Sequence, residues 1–429
     1  MRRQTPSTTD PDARPEPHTF YPPKNNRFIT WFVQRRIRAS IRRTLKVTEI
    51  RFDDEDLAVL RDLKGKRCLL TPSHSGGFEP HIVMELSRQL GDSFNYLAAM
   101  ELFQRSALHR WLLPRMGVYS IIRGTVDRAS FSMTRKLLAE GKRWLVVFPE
   151  GETIWQNSIV LPFQQGVFQL AFKGMEDARK HESQPDLYCI PIAIRYSYLN
   201  DMHPEIDASL NRLESRLGID NKTDCLPRYE RMRRVADTVL QANEKAYHFQ
   251  SPPGSSLNDR AERLKLHAVC QLEQQLGLNP PRDQTLLDRI RALLNAVDRA
   301  VFEIEIGTEY EKQLAASRRQ SARDQYDALW RVLRFVALHD GYVRDSMTVE
   351  RLLDVLGLLE MEVFKQRRIW GPRLATVKIG SPVNLRDHAQ AYADNRRETI
   401  PKVSAMLESS VQSMLQELEK NCHPIVALD

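Results

Sequence analysis

The sequence predicts an α/β fold, a mostly parallel sheet flanked by helices, carrying a large all-helical insertion or second domain. Three observations predict it. Between roughly Cys68 and Tyr196, short apolar runs alternate with stretches at helical spacing, as strands and their crossover helices do. From about Leu199 to Gly371 the texture changes to long helical stretches with few breakers. Leu374 to Gly380 then reads as one more strand, before a terminal helix from about Ala389 to Lys420.

Taken in order, residues 1–23 are rich in Pro, Thr, Asp and Arg, carry little apolar content and are expected to be disordered. Residues 24–47 differ abruptly: Lys24, Arg27, Arg35, Arg36, Arg38, Arg42, Arg43 and Lys46 are interrupted by no acid. Ile29, Val33, Ile37, Ile41 and Leu45 recur at i+4, with Phe28, Trp31 and Phe32 near the front end. This predicts a basic amphipathic helix. It can rest on a membrane surface through residues 24–46 or pack its stripe on its own domain.

Residues 48–198 are expected to form the α/β domain. Its strands are predicted at Cys68 to Thr71, Tyr96 to Met100, Val118 to Ile122, Trp144 to Phe148 and Cys189 to Tyr196. Its helices are predicted near 80–90, 104–115, 129–141 and 164–181. Residues 199–371 form the helical insertion, with stretches at 257–277, 284–317, 322–339 and 348–368 and loops at Pro252–Ser256 and Pro280–Pro281. Residues 372–429 complete the α/β domain with a strand and a helix.

A chain of 429 residues, 42% hydrophobic and 28% charged, has the composition of an ordinary soluble globular protein. The net charge of +8 favours an anionic partner without choosing one. No aromatic and basic residues are arranged as a known reader of nucleic acid, so none is expected as a partner. Five dispersed cysteines without a C-x-x-C pair predict a reducing compartment and no cysteine metal cluster. With no run of about 18 apolar residues and no apolar leader, a cytoplasmic protein is expected, peripherally membrane-associated and without a transmembrane helix.

The most informative chemistry lies in Leu69-Leu70-Thr71-Pro72-Ser73-His74-Ser75-Gly76-Gly77-Phe78-Glu79-Pro80. An imidazole beside a carboxylate can take a proton from an alcohol near neutral pH. Five residues along a helix turn through about 500°, so His74 and Glu79 can meet only across a turn. Gly76-Gly77 supplies the bend, and Pro80 suits the first turn of a following helix. Glu79 then stands at a helix start, where the dipole favours its ionised form. Held charged, it can orient His74 and stabilise the imidazolium, while the nucleophile is the substrate's own hydroxyl.

Further along, Gly117 to Gly124 places a glycine turn before a strand and Arg123 at its exit, where a guanidinium can fork onto a phosphate or carboxylate. Trp144 to Thr153 is a buried strand that breaks into Pro149-Glu150-Gly151, at the end of a parallel strand where such sheets bind ligands. Leu161-Pro162-Phe163-Gln164-Gln165-Gly166 and Ile190-Pro191-Ile192 follow.

In this order, the blocks His74-x4-Glu79, Gly117 to Arg123, Phe148 to Gly151, Leu161 to Gly166 and Ile190 to Ile192 resemble the signature blocks of the glycerolipid and lysophospholipid acyltransferases. That superfamily includes the 1-acylglycerol-3-phosphate acyltransferases. The resemblance covers about residues 68–196. It implies transfer of a fatty acyl group from a thioester donor, acyl-CoA or acyl carrier protein as co-substrate, to a lysophospholipid or glycerol-phosphate-type lipid acceptor. No other cofactor is implied. His74 would be the general base and Glu79 its orienting partner, with Gly76 and Gly77 amides as candidate oxyanion donors. Arg123 would hold an acceptor phosphate, and Glu150 and Gly151 would shape the acceptor pocket.

Three departures stand out. Glu79 occupies a position usually held by aspartate, Glu152-Thr153 follows where Thr-Arg is usual, and Gln164 and Gln165 replace common basic residues. The lost cations weaken the case for a phosphate-bearing acceptor. Competing readings are a metal hydrolase using His74, Glu79 and His81, and a non-catalytic lipid-binding protein that retains the fold.

Overall fold

A computed structural model of the chain describes residues 20–123, 127–219, 226–281, 283–302, 313, 317, 322, 324–332, 341–366, 368–420 and 422. The first elements are α1 (Arg27–Leu45), β1 (Val47–Phe52), α2 (Asp54–Asp62), β2 (Cys68–Pro72), α3 (Glu79–Gln89) and β3 (Asn95–Ala99). Next come α4 (Met100–Gln104), α5 (Ala107–Arg115), β4 (Val118–Ile121), α6 (Arg128–Glu140), β5 (Leu145–Val146), α7 (Gln165–Ala178) and β6 (Tyr188–Tyr198). The helical block holds α8 (His203–Leu217), α9 (Arg228–Ala246), α10 (Leu257–Leu276), α11 (Leu286–Phe302), helical residues 324–332, α12 (Gly341–Arg344) and α13 (Val349–Phe364). The chain then returns through β7 (Arg373–Ile379), β8 (Val383–Asn384), α14 (Ala389–Asp394) and α15 (Arg396–Glu419).

The sheet runs in the order β1-β7-β6-β2-β5-β3-β4, with β8 also on β6. The pairs of β2 with β5 and β6, and of β3 with β4 and β5, are parallel. β7 lies antiparallel to β6, from Ile192 opposite Ile379 to Tyr198 opposite Arg373. The mostly parallel sheet is therefore as expected, and the helical block leaves and re-enters it between two neighbouring strands.

Side chains alternate across the sheet as the pleat requires. Leu70 and Val146 enter one core with α1, α2 and α3, whereas Leu69, Leu145 and Val147 enter the other with α6, α7 and α15. A third core joins Tyr198 to α8, α9 and α13. A fourth joins Ile154 and Leu161 of the α/β domain to α10, α11 and helical residues 324–332. The loop after β5 is thus clamped by the helical block.

β1 and α2 were not expected from the sequence. β1 pairs in parallel with β7, so its partner stands more than 300 residues away and leaves no local signal. The disorder expected of residues 1–23 falls, for 1–19, outside the described residues. Phe20 packs edge-on to Tyr119, and Tyr21 stacks on Phe103 at 5.0 Å, so the end of that segment is part of the fold.

In α1 the i+4 stripe faces inward: Ile37, Ile41 and Leu45 belong to the first core. The aromatic front end faces outward, with Phe28, Trp31 and Phe32 exposed by 71%, 49% and 44%. Among the described residues, no helix is long and apolar enough to cross a membrane.

Candidate active site

Parallel pairing of β2 with β5 brings their carboxyl ends together, and with them the loops 73–78 and 147–164. This is the edge at which open α/β sheets place their ligands. His74 follows β2 directly, and α3 begins at Glu79 with Pro80 in its first turn, as the sequence predicts. Gly77, at φ +80°, makes the reversal between them in a region that favours glycine.

The turn closes the pair. His74 Nδ1 lies 2.9 Å from Glu79 Oε2. Glu79 is wholly buried, whereas the His74 side chain keeps 17% exposure. The amides of Gly76 and Gly77 donate to Glu79 Oε1 and Oε2 at 2.8 and 2.9 Å, and the Tyr196 hydroxyl donates to Oε1 at 3.2 Å. Burial alone would push the Glu79 carboxyl up, but the hydrogen bond and charge of His74, with the backbone amides, bring it down to about 2. An ionised Glu79 fixes Nδ1 as the protonated nitrogen. The imidazole, tilted against Phe148 with ring centroids 4.3 Å apart, makes no protein hydrogen bond through Nε2 among the described residues. It is poised as a proton acceptor.

The other expected site residues are placed differently. Gly76 and Gly77, expected to face an oxyanion, direct their amides to Glu79. Glu150, expected to shape an acceptor pocket, is buried and accepts from the His74 amide at 2.6 Å and the Leu161 amide at 2.8 Å. It ties the His74 loop to the loop after β5. Burial pushes its carboxyl up to about 7 against the lowering effect of these two amides. Gly151 supplies the turn: φ is +75°, and a Cβ there would lie 1.8 Å from Gln164 Nε2.

Arg123, expected to hold a phosphate, is surrounded by acids. It donates to Glu152 at 2.7 Å and Glu101 at 3.0 Å, and its Nε is 3.8 Å from Asp298 of α11. Burial works against its charge, and the three carboxylates outweigh that effect. Asp298 also accepts a hydrogen bond from the Tyr326 hydroxyl. From the same helix, Arg291 donates to the Glu150 and Pro162 carbonyls at 2.8 and 2.9 Å, so α11 grips the loop after β5 at two points.

Tyr196, Glu101, Asp298 and Arg291 were missed by sequence reasoning. Tyr196 had a weak signal, as a polar tip at the end of a predicted strand; the others carried none. His81, a metal candidate, turns its Nδ1 to the Phe78 carbonyl, and among the described residues no group of three His, Cys, Asp or Glu can hold a metal ion.

A carboxylate-held imidazole at the carboxyl edge of a mostly parallel sheet is an arrangement able to accept a proton from a hydroxyl. The family model described as Acyltransferase matches residues 50–195, the stretch that contains this site. No curated protein matches the chain at a significant level. Residues 50–195 are an acyltransferase domain of the glycerolipid acyltransferase family, which implies acyl transfer and a part in lipid metabolism.

Proposed function

We propose that the protein moves a fatty acyl group from an acyl thioester, acyl-CoA or acyl carrier protein, to a hydroxyl of a glycerolipid-type acceptor. The observation that carries this reading is the 2.9 Å contact of His74 Nδ1 with a fully buried Glu79, with the other edge of the ring left open. His74 Nε2 takes the hydroxyl proton as the acceptor oxygen attacks the thioester carbonyl. The tetrahedral intermediate collapses, the C–S bond breaks, and the departing thiolate takes the proton back from the imidazolium. Glu79 stays ionised throughout and positions the ring. No protein nucleophile takes part.

Incubation of the full chain with labelled acyl-CoA and an acceptor alcohol tests the scheme. Label is expected in an ester of the acceptor, with the mass of the intact protein unchanged. Accumulation of an acyl-protein adduct before acceptor is added contradicts single-step transfer.

Membrane contact belongs to the same proposal. Trp31 and Phe32 are covered by Arg35 and Arg36 at 5.1 and 4.7 Å, and α5 adds exposed Leu108 and Trp111, with Arg115 over the latter at 4.4 Å. Aromatic rings edged by arginines suit an anionic bilayer surface. Removing residues 1–46 would not test this. It would strip Ile37, Ile41 and Leu45 from the core at about 1.5–3 kcal/mol each, much of a domain's stability. Phe28→Ala/Trp31→Ala/Phe32→Ala leaves that core intact and is expected to abolish flotation with anionic vesicles; unchanged flotation rejects the contact.

A further inference from the structure

Arg123, at the exit of β4, is the cation to which the sequence resemblance gives an acceptor phosphate, and its charge is already taken. Arg123 is adjacent to the reaction centre by three links: it donates to Glu152, Glu150 two residues earlier holds the His74 amide, and the Trp155 amide donates to the Ser75 carbonyl at 2.8 Å. We propose that this acyltransferase takes an uncharged alcohol as acceptor and rejects alcohols carrying a phosphate ester beside the reacting hydroxyl, because Glu101, Glu152 and Asp298 occupy Arg123. The inference rests on the acyl-transfer reading above.

The charge count decides the point. Arg123 contributes one positive charge against three carboxylates. Arg291 adds a second positive charge, but its Nη1 lies 3.7 Å from Asp288, and its Nη2 already serves two carbonyls. Two cations against four acids leave 2 − 4 = −2, or −1 if one carboxyl holds a proton. A phosphate monoester would bring about −1.5 to −2 further charges into this setting. Like charges at such distances repel strongly where water is scarce.

Movement of the helical block would not relieve the conflict. Asp298 would leave with α11, but Glu152 and Glu101 belong to the α/β domain itself. Glu152, with its side chain 5% exposed, stays bonded to Arg123 at 2.7 Å. The departure noted in the sequence, glutamate directly after Glu150-Gly151, is therefore what neutralises the arginine. An uncharged alcohol has no such quarrel with the site, and its hydroxyl needs only the open edge of His74.

The test compares a 1-monoacylglycerol with the corresponding 1-acylglycerol 3-phosphate, each with the same acyl-CoA, using the full wild-type chain. At least tenfold higher kcat/KM is expected for the uncharged alcohol, and calorimetric titration with glycerol 3-phosphate should give no saturable heat. Glu152→Thr/Asp298→Asn leaves Arg123 with Glu101 alone of its three acids and should narrow the preference by tenfold or more, with saturable glycerol 3-phosphate binding appearing. Equal or better use of the phosphate acceptor by the wild type, or saturable binding of glycerol 3-phosphate to it, overturns the inference and leaves the acyl-transfer reading standing. Transfer to neither acceptor sinks the acyl-transfer reading, and this inference with it. If the double variant fails to fold, the two wild-type measurements still decide.

Discussion

Two sites at the carboxyl edge of the sheet, one around the His74 imidazole and one around the Arg123 guanidinium, each pair a nitrogen base with carboxylates and are built in opposite ways. At His74 one buried carboxylate holds one edge of the ring, and the other edge is left open. At Arg123 three carboxylates close around the guanidinium and leave no net positive charge to offer. The first arrangement suits chemistry, since a base must keep a free lone pair. The second suits architecture and exclusion. It ties α11 of the helical block to the α/β domain and removes the charge that would recognise an anion. Pairing a basic side chain with carboxylates thus serves reactivity or blocks recognition according to stoichiometry and access.

The comparison breaks first at Glu79. Glu79→Gln keeps the shape but loses the charge that fixes the ring, and should lower kcat by about 10²–10⁴-fold with circular dichroism unchanged. A variant within threefold of wild type would mean that the ring needs no ionised partner.

Glu150 sharpens the contrast, because it is buried beside the same loop yet points its oxygens at amides. Its carboxyl ordinarily titrates near 4.5 and is pushed up to about 7 in the fold by burial. A folded-state value above the unfolded one gives stability that is full below about 4.5 and is lost as pH rises through about 7. Denaturant midpoints should therefore fall across that window. Buried Asp354, raised to about 6, acts in the same direction. Glu150→Gln should flatten the decline in part; an unchanged pH profile contradicts the assignment.

Gly151→Ala forces a Cβ onto Gln164 at positive φ and should cost about 1–3 kcal/mol in chemical denaturation. A neutral substitution would show that the turn can relax. Tyr196→Phe removes one hydrogen bond to Glu79 and should cost about 1 kcal/mol, read as roughly a fivefold loss in kcat with KM unchanged. A change confined to KM would place Tyr196 against substrate instead.

The two sites also differ in how far the sequence revealed them. His74 and Glu79 stand five residues apart, so glycine, proline and helix-start rules sufficed to bring them together. The strand alternation that places them was legible for the same reason: apolar runs such as Leu69-Leu70 and Leu145-Val146 are local signals. The Arg123 cluster joins positions 101, 123, 152 and 298, and α11 is an amphipathic helix in which one aspartate looks like any other. β1 was illegible because its partner β7 follows the whole helical block. The hydrogen bonds of Gly76, Gly77 and Glu150 were illegible because residue type cannot tell which partners a folded loop has already found. What the amides and the carboxyl support is the shape of the loop that carries His74.

Acceptor-dependent release of free CoA by His74→Ala, measured against the wild-type chain at matched folding, tests the central claim most directly. A drop of about 10²–10⁴-fold with little change in acyl-CoA affinity is the result predicted for loss of the general base. Release within a factor of two of wild type would contradict it and require another group to take the hydroxyl proton.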